Sequence, residues 1–319
     1  MYCRNFFPLV CLTVISLLIV TPSLSAETNN PTADSRPYLV MGNAGKLEYS
    51  KTGGLRASGT RSELDKKDFA QKLFRTTPQA LREIPGVMVQ ETAHGQGSPI
   101  IRGFTGYHNL MTVDGIRLNN SVFRSGPNQY WNTIDPYVIE RLEISKGTAG
   151  VRGGSDAIGG SVNAVTLNPF TYDAPWRTAG ASSYRVSSAE NSHIGRAEFR
   201  MPFNKELALL AGATVKQFGD LIGGKDTGRQ PNTGYDEWDL DLKLEHRYRE
   251  NARLTLAYQN TRLEDVPRTH RTVFARSFAG TTIGTELQRS TDQQRQLAYV
   301  QLRLDDAAPW LDEWTTSLS

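Results

Sequence analysis

The sequence predicts a small α+β domain followed by the antiparallel transmembrane strands of an incomplete β-barrel. Short apolar runs bounded by glycine fill residues 99–160, which is typical of strands joined by tight turns. From Trp176 onward, apolar and polar residues alternate in longer segments. The composition, with 38% hydrophobic and 22% charged residues and a net charge of +3, gives no indication of disorder or of nucleic-acid binding.

Residues 1–26 have the pattern of a secretory signal peptide, with an apolar centre from Leu9 to Val20 and small residues up to Ala26 for cleavage. The alternative is a membrane anchor, but the apolar run is shorter than the roughly 20 residues that a spanning helix needs. Both cysteines of the chain lie in this segment, so the remainder can form neither a disulfide nor a thiolate metal site. Residues 27–63, which are polar and rich in Asn, Thr, Pro and Gly, are predicted to form a flexible leader.

Two short helices are predicted within residues 64–84. Phe69, Leu73 and Phe74 share one face of the first helix by their three-to-four spacing. Thr77, followed by proline, is the predicted N-cap of the second. A Pro-Gly pair then ends the helical part, and the next apolar run is the first strand that follows it.

Four motifs follow in a fixed order through the first domain. They are Ile101-Arg102-Gly103, Val113-Asp114-Gly115, the run IERLEISKG at 139–147 and the run GSDAIGG at 154–160. This ordered set resembles the plug domain of the TonB-dependent outer-membrane receptors, and the resemblance extends from about Thr60 to Leu167. The turn at 151–154 departs from the family pattern, which more often has an apolar residue, Tyr and Gly before Ser.

The resemblance implies that a plug, residues 64–170, sits inside a barrel that begins in residues 171–319. Because the lumen of such a barrel is polar, plug charges can pair with its wall. We therefore expect docking contacts from Arg102, Asp114, Glu140, Arg141, Glu143 and Arg152.

The resemblance also implies a Ton box, an extended segment that pairs with the partner protein TonB, itself driven by an inner-membrane motor complex. Its expected position is Leu55, Arg56, Ala57 and Ser58. Arg56 departs from the usual apolar residue at its position, so the box could instead lie at 38–41, and an ordinary linker is a third interpretation.

The ligand of this family binds from outside the cell, on plug loops and barrel loops. The wording RLNNSVFRSGPNQY at 117–130 is most similar to the haem and haemoglobin branch. Aromatic rings can stack on a macrocycle, arginine can pair with its propionates, and histidine can ligate its iron. The candidate ligand-binding residues are Arg124, Tyr130, Trp131, His94 and His108, with solvated loop histidines as the alternative. The iron-bearing molecule would be a transported ligand rather than a cofactor, and no resident metal or cofactor is expected. Ferric siderophores and cobalamin are alternative ligands.

An enzyme is not expected. Asp114 with Glu140 would need a cleft that perturbs both carboxylates, which nothing in the sequence indicates. The glycines of 147–160 do not have the spacing of a phosphate-binding loop.

The second half shows the period-two alternation that is typical of membrane strands. We expect the apolar face of these strands to contact outer-membrane lipid. In three segments one face is mainly apolar, and its residues are Leu207, Leu209, Ala211, Ala213 and Val215, then Leu240, Leu242 and Leu244, then Leu254, Leu256 and Tyr258. In a fourth segment, the face with Leu297, Tyr299, Gln301 and Arg303 is opposite to the face with Ala298, Val300, Leu302 and Leu304. Short turns at 202–205 and 249–251 alternate with long loops at 218–234 and 264–294. A soluble β-sandwich alternates in the same way.

We count about six strands and the start of a seventh, whereas a barrel that holds a plug needs roughly 22. The expectation is therefore a truncated or partial receptor in the bacterial cell outer membrane. Rival hypotheses are a passive porin or adhesin barrel, which would lack a plug, and a soluble plug-like binding module, which would lack a wall.

Overall fold

The computed structural model describes residues 56–58, 61–118, 126–127, 129–147, 154–170, 177–224, 228–268 and 282–319, together with 272, 273, 275 and 277. The predicted signal peptide, the alternative box at 38–41, Leu55, Arg124 and Arg152 lie outside the described residues. Of Arg56, Ala57 and Ser58, only the backbone is described.

The first domain is an α+β unit. Its elements are β1 Arg56–Ser58, β2 Arg61–Asp65, α1 Lys66–Lys72, α2 Thr77–Leu81, β3 Val87–Ala93, β4 Gln96–Ile101, β5 Asn109–Val113, β6 Ile116–Arg117, β7 Ile139–Lys146 and β8 Gly160–Thr166, with 3-10 helices at Gly106–His108, Tyr130–Thr133 and Pro136–Val138. Six strands form one sheet in the order β1-β2-β7-β8-β5-β6, and β3 pairs with β4 as a separate hairpin. The pairing of β5 with β8 is parallel, which makes this a mixed sheet.

The two helices lie where they were predicted, but two details of the prediction were wrong. Leu73 ends α1 in the left-handed conformation, at φ 50°, and is 51% exposed, so it does not share the buried face of Phe69 and Phe74. A residue in this conformation turns the chain out of the helix and takes its side chain off the helical face. The N-cap of α2 is Thr76, and Thr77 is its first helical residue.

The core of this domain lies between the helices and the six-stranded sheet. It contains Leu64, Leu81, Ile101, Trp131 and Leu142, each fully buried. Apolar side chains of both helices and of the β3–β4 hairpin pack into the same cluster, so the unit has its own hydrophobic core.

The second half forms one antiparallel sheet of seven strands, in sequence order from β9 to β15. The strands are β9 Ala179–Ser187, β10 Ser192–Pro202, β11 Leu207–Phe218, β12 Tyr235–Arg249, β13 Ala252–Pro267, β14 Ser290–Ala308 and β15 Leu311–Leu318. Short connections alternate with long ones at 219–234 and 268–289, as the sequence predicts. Within the described residues the sheet is open, with β9 and β15 as its edges, so an α+β domain is followed by an open antiparallel sheet, as the sequence predicts.

Burial across this sheet is the reverse of that in a soluble protein. Charged residues such as Asp239 and Lys243 of β12 are buried on the inner face, whereas Leu242, Leu256 and Val300 are exposed on the outer face. Such an arrangement places apolar side chains toward lipid and polar ones toward a lumen. It therefore argues against the soluble β-sandwich.

No helix in the described part of the chain has the length and apolar character to cross a bilayer.

Candidate functional site

The inner face of the seven-stranded sheet lies against the first domain, and we call their contact the plug–wall interface. β12 supplies its central row, because alternate side chains of this strand point inward. They are Tyr235, Glu237, Asp239, Asp241, Lys243, Glu245 and Arg247, all buried except Arg247. Arg247 lies over the ring of Phe170, with Cζ 4.0 Å from the ring centroid.

A cluster of charges that we call the central cluster occupies the middle of this interface. It consists of Asp135 from the plug and Arg196, Lys216, Glu237, Asp239 and Asp241 from the wall. Lys216 Nζ lies 3.0 Å from Asp135 Oδ1, 2.5 Å from Glu237 Oε1 and 3.1 Å from Asp239 Oδ2. The side chain of Lys216 is only 1% exposed, so its charge is balanced by these carboxylates rather than by water.

The second cation of the central cluster is Arg196. Its Nη1 and Nη2 donate to the two oxygens of Asp241 at 2.8 and 3.2 Å, and Nη1 lies 3.7 Å from Asp135 Oδ2. Such a two-pronged pair fixes geometry as well as charge. Thr214 Oγ1 donates to Asp135 Oδ2 at 2.6 Å, so three wall residues fasten one plug carboxylate.

Asp135 is placed by local structure. It is the N-cap of the 3-10 helix Pro136–Val138, and its Oδ1 accepts a hydrogen bond from Tyr137 N at 3.1 Å. Burial opposes its ionisation, but Lys216 and Arg196 outweigh burial and hold the pKa of Asp135 below its usual value. The carboxylate is therefore charged when it faces the wall.

A second anchor lies nearer the short turns of the wall. Asp114 occupies the β5–β6 turn with φ 50°, and Lys243 Nζ lies 3.3 Å from its Oδ2. Tyr299 OH donates to the same oxygen at 2.8 Å, and Thr166 of the plug donates to both oxygens from its N and Oγ1. Burial opposes ionisation of Asp114, but Lys243 and the hydrogen bonds from Thr166 and Tyr299 hold its pKa below the usual value.

A third anchor lies at the end of the wall that carries the long connections, which we call the loop end. Arg75 Nη1 donates to Glu190 Oε2 and to His94 Nε2, each at 3.0 Å. Since arginine has donors only, Nε2 of His94 accepts and the ring proton sits on Nδ1. Burial and the nearby Arg75 lower the pKa of His94 to about 4, so the ring is neutral at pH 7.

The main chain of the plug takes part as well. Arg295 Nε of β14 donates to the carbonyl of Thr133 at 3.0 Å, and its Nη2 donates to Gln259 Oε1 of β13. Lys243 Nζ also lies 3.3 Å from the carbonyl of Thr166. Residues 133–135 thus contact β10, β11 and β14 at once, which fixes this part of the plug on the wall.

The residues predicted to bind ligand lie in different places. His94 is 6% exposed and meets the rings of Phe218 and Tyr235 edge-on, with centroids 4.9 and 5.6 Å away. His108 closes the 3-10 helix Gly106–His108 and is half-buried beside Tyr107, with ring centroids 4.3 Å apart. The structure therefore does not bring the two histidines into a shared pocket.

The two aromatic candidates are neighbours in one 3-10 helix with different exposure. Tyr130 is half-buried, whereas Trp131 is fully buried in the plug core. Trp131 therefore packs within the domain, where its ring cannot stack on a ligand outside.

Of the predicted docking charges that the structure describes, those other than Asp114 make contacts inside the plug. Glu140 Oε2 accepts from Asn168 Nδ2 at 2.8 Å, and Arg141 Nε donates to Glu143 Oε1 at 2.7 Å along β7. Arg102 is exposed at φ 51°, with its guanidinium beside Gly147.

Sequence reasoning missed Asp135 and all the wall residues of the central cluster. A usable signal was present, because Glu237, Asp239, Asp241 and Lys243 occupy every second position of one strand. Period two marks them as one face, yet it does not tell which plug residue meets them. Among the residues described, no group of three or more His, Cys, Asp or Glu side chains could hold a metal ion.

Comparison with known proteins identifies the first domain. Residues 55–161 match the family described as TonB-dependent Receptor Plug Domain. Residues 55–161, about a third of the chain, are therefore similar to the plug domain of that family. The match covers β1 to the start of β8 and includes Asp114 and Asp135.

Sequence relatives extend the similarity beyond the plug domain. A vitamin B12 transporter of Vibrio vulnificus is 30% identical over 180 residues, which are 56% of this chain and 28% of that protein. An iron-regulated outer membrane virulence protein of Vibrio cholerae is 30% identical over 162 residues, or 49% of this chain and 24% of that protein. This chain therefore matches only about a quarter of the length of these relatives.

Solved structures show the same fold. The hemophore receptor HasR of Serratia marcescens, in complex with its hemophore and heme, has a TM-score of 0.63 at 20% identity, covering 81% of this chain and 37% of that one. A ferric enterobactin receptor of Pseudomonas aeruginosa has a TM-score of 0.58 at 20% identity, covering 77% and 38%. With the apolar outer face of the sheet, these similarities place the protein in the bacterial outer membrane. The relatives are transporters and receptors rather than enzymes.

Proposed function

We propose that this chain supplies the plug and part of the wall of an active receptor that imports an iron-bearing ligand across the outer membrane. The observation that carries the proposal is the plug–wall interface, in which Asp114 and Asp135 of the plug face buried lysines of the wall. Without the plug, Lys243 would lose its carboxylate partner Asp114, and Lys216 would lose Asp135 and keep only Glu237 and Asp239 of the wall. A passive porin would contain no plug with carboxylates to pair with these lysines, and a soluble plug-like module would contain no sheet to carry them.

The interface also explains why such import would need work. Moving the plug separates several buried ion pairs, and breaking one such pair typically costs about 3–5 kcal/mol. Thermal motion alone would rarely do this, so an external source is required. TonB and its inner-membrane motor are the proposed source.

The proposed point of attack for TonB is the segment Leu55 to Ser58. Its described part, β1, is the edge strand of the six-stranded plug sheet and pairs only with β2 in the described residues, Arg56 with Glu63. An edge strand offers free backbone groups to an added strand. A pull on β1 would be passed through β2 to β7, with which β2 is paired from Arg61 to Asp65.

The first ligand to test is haem, alone or derived from haemoglobin. It is supported by the wording of residues 117–130 and by chemistry that the plug offers, since histidine is a good iron ligand. His108 is the more open of the two histidines, whereas His94 already accepts a hydrogen bond from Arg75. Cobalamin is the second candidate, favoured by the 30% identity to a vitamin B12 transporter.

The test is titration of the purified, detergent-solubilised protein with haem and, separately, with cobalamin. We expect a Soret shift with haem that His108→Ala abolishes and that His94→Ala leaves in place. Absence of any shift would exclude haem as the ligand. Saturable cobalamin binding in the same preparation would then favour the second candidate. Uptake that continues in cells lacking TonB would contradict the receptor class itself.

A further inference from the structure

We propose that the tip of the β3–β4 hairpin, His94, Gly95 and Gln96, couples the three connections at the loop end, so that they change conformation together. These connections are residues 188–191, 219–234 and 268–289. This coupling is a conformational device of the fold, and it depends neither on the ligand nor on TonB.

The first connection is held to the tip through Arg75, which bridges Glu190 and His94. Glu190, in the turn between β9 and β10, accepts from Arg75 Nη1, which also donates to His94 Nε2. Ser192 Oγ donates to the other carboxylate oxygen of Glu190 at 2.9 Å. Glu190 is 5% exposed, so this turn is fixed to the tip by a buried, charge-assisted contact.

The second connection is held by aromatic packing at both of its ends. Phe218 ends β11 and Tyr235 begins β12, and their rings stack with centroids 4.5 Å apart. The imidazole of His94 lies edge-on to both rings. The two ends of this loop therefore close on one side chain of the tip.

The third connection is held by hydrogen bonds to Gln96. Its Nε2 donates to Thr291 Oγ1 at 3.1 Å, and its Oε1 accepts from Arg268 Nε at 2.9 Å. Arg268 follows β13 and Thr291 lies at the start of β14. One amide thus clamps both ends of the longest connection.

Gly95 makes the three attachments interdependent. A Cβ at this position would lie 2.8 Å from Val266 Cγ1 and 2.9 Å from Tyr235 Cζ, so the backbone of the tip touches the bases of two connections directly. Because His94 and Gln96 are the immediate neighbours of Gly95, the tip cannot move away from one base without moving from the others. Coupling through the tip is reciprocal, so the loss of the attachment at one connection weakens the attachments at the other two.

The experiment is hydrogen exchange, read by mass spectrometry, on the full chain in detergent micelles. Gln96→Ala removes the hydrogen bonds of this side chain to Arg268 and Thr291, at the two ends of the third connection. We expect exchange to rise roughly thirtyfold at the base of that connection, the effect of losing two ordinary hydrogen bonds. The proposal further predicts a rise of at least twofold in the peptides around Glu190 and around Phe218 and Tyr235, which carry neither of these hydrogen bonds.

The matched control is Asp220→Ala, which removes the acceptor and loosens the second connection from within. Asp220 accepts from Thr233 N and Gly234 N at 3.0 and 3.2 Å and has no part in the tip. Faster exchange should stay inside residues 219–234 in this variant. If the effect of Gln96→Ala is equally local, the coupling does not exist.

Should Gln96→Ala fail to fold, Thr291→Val breaks one of the two hydrogen bonds of Gln96 from the wall side and leaves the plug sequence intact. The same spread of faster exchange to the first and second connections is expected. A rise confined to residues 264–292 in this variant would overturn the proposal.

Discussion

Replacement of Asp135 by asparagine tests whether the central cluster holds the plug in the wall. The substitution keeps the shape of the side chain and removes the plug carboxylate charge that faces Lys216 and Arg196. Loss of a partner from a buried ion pair costs about 3–5 kcal/mol when the remaining charge is stranded. Lys216 keeps Glu237 and Asp239 within 3.1 Å, so its charge stays balanced. We therefore expect a loss near the lower limit, about 2–3 kcal/mol in the free energy of unfolding.

The measurement is urea unfolding of the full chain in detergent micelles, followed by tryptophan fluorescence. Trp131 lies in the plug core, two residues from the Thr133 carbonyl that Arg295 holds. Lys216→Met should cost more than Asp135→Asn, because it leaves a plug carboxylate and two wall carboxylates without their shared cation. The double variant should be less destabilised than the sum of the two single ones, since the two residues contact each other.

The matched control is Asp156→Asn, which breaks an ion pair with Arg117 inside the plug that is partly exposed. An exposed pair contributes roughly 0–1 kcal/mol, so this variant should unfold almost like the parent chain. The reasoning is refuted if Asp135→Asn is no more destabilising than Asp156→Asn.

Three further outcomes are expected. Gly95→Ala should cost roughly 1–3 kcal/mol in urea unfolding, because the new methyl group meets buried Val266 and Tyr235, whereas Gly224→Ala, with open space around it, should be neutral. The free energy of unfolding should fall by at most about 3 kcal/mol as the pH drops from 6.5 to about 4, because His94 binds a proton in that range only in the unfolded chain. This loss should be absent in His94→Gln. If the variant shows the same pH profile as the parent chain, the assignment of a neutral ring is contradicted. In lipid vesicles, Leu256→Lys on the outer face of the sheet should lower the free energy of unfolding by about 2–4 kcal/mol, because that face meets hydrocarbon. The control Leu287→Lys, in a loop, should have no measurable effect. Equal stability of the two variants would refute a lipid-facing surface.

Local pattern predicted most of the fold. Period-two alternation identified the strands of the wall and the two faces of β12, and ordered motifs identified the plug. Leu73 was misplaced, because helical spacing alone cannot show that the helix ends there with a left-handed residue.

The site was harder to predict because it joins distant parts of the chain. Asp114 was expected to dock, and it does contact Lys243 of β12. Asp135 was not among the predicted docking residues, although three wall residues meet it. Its partners are fixed by how the plug seats against the sheet, and that depends on packing across the whole interface rather than on any local pattern.

The charged middle of the plug–wall interface has a consequence for what happens after the two parts separate. Both surfaces there are hydrophilic, carrying Asp135 on one side and Lys216 with its acidic neighbours on the other. Freshly parted apolar surfaces would expel water and close again or stick to foreign molecules. Ionic surfaces instead become hydrated at once, and that hydration returns part of the energy spent in parting them. A passage opened along the plug–wall interface would remain filled with water, and attraction between the same opposite charges would favour the return of the plug to its position.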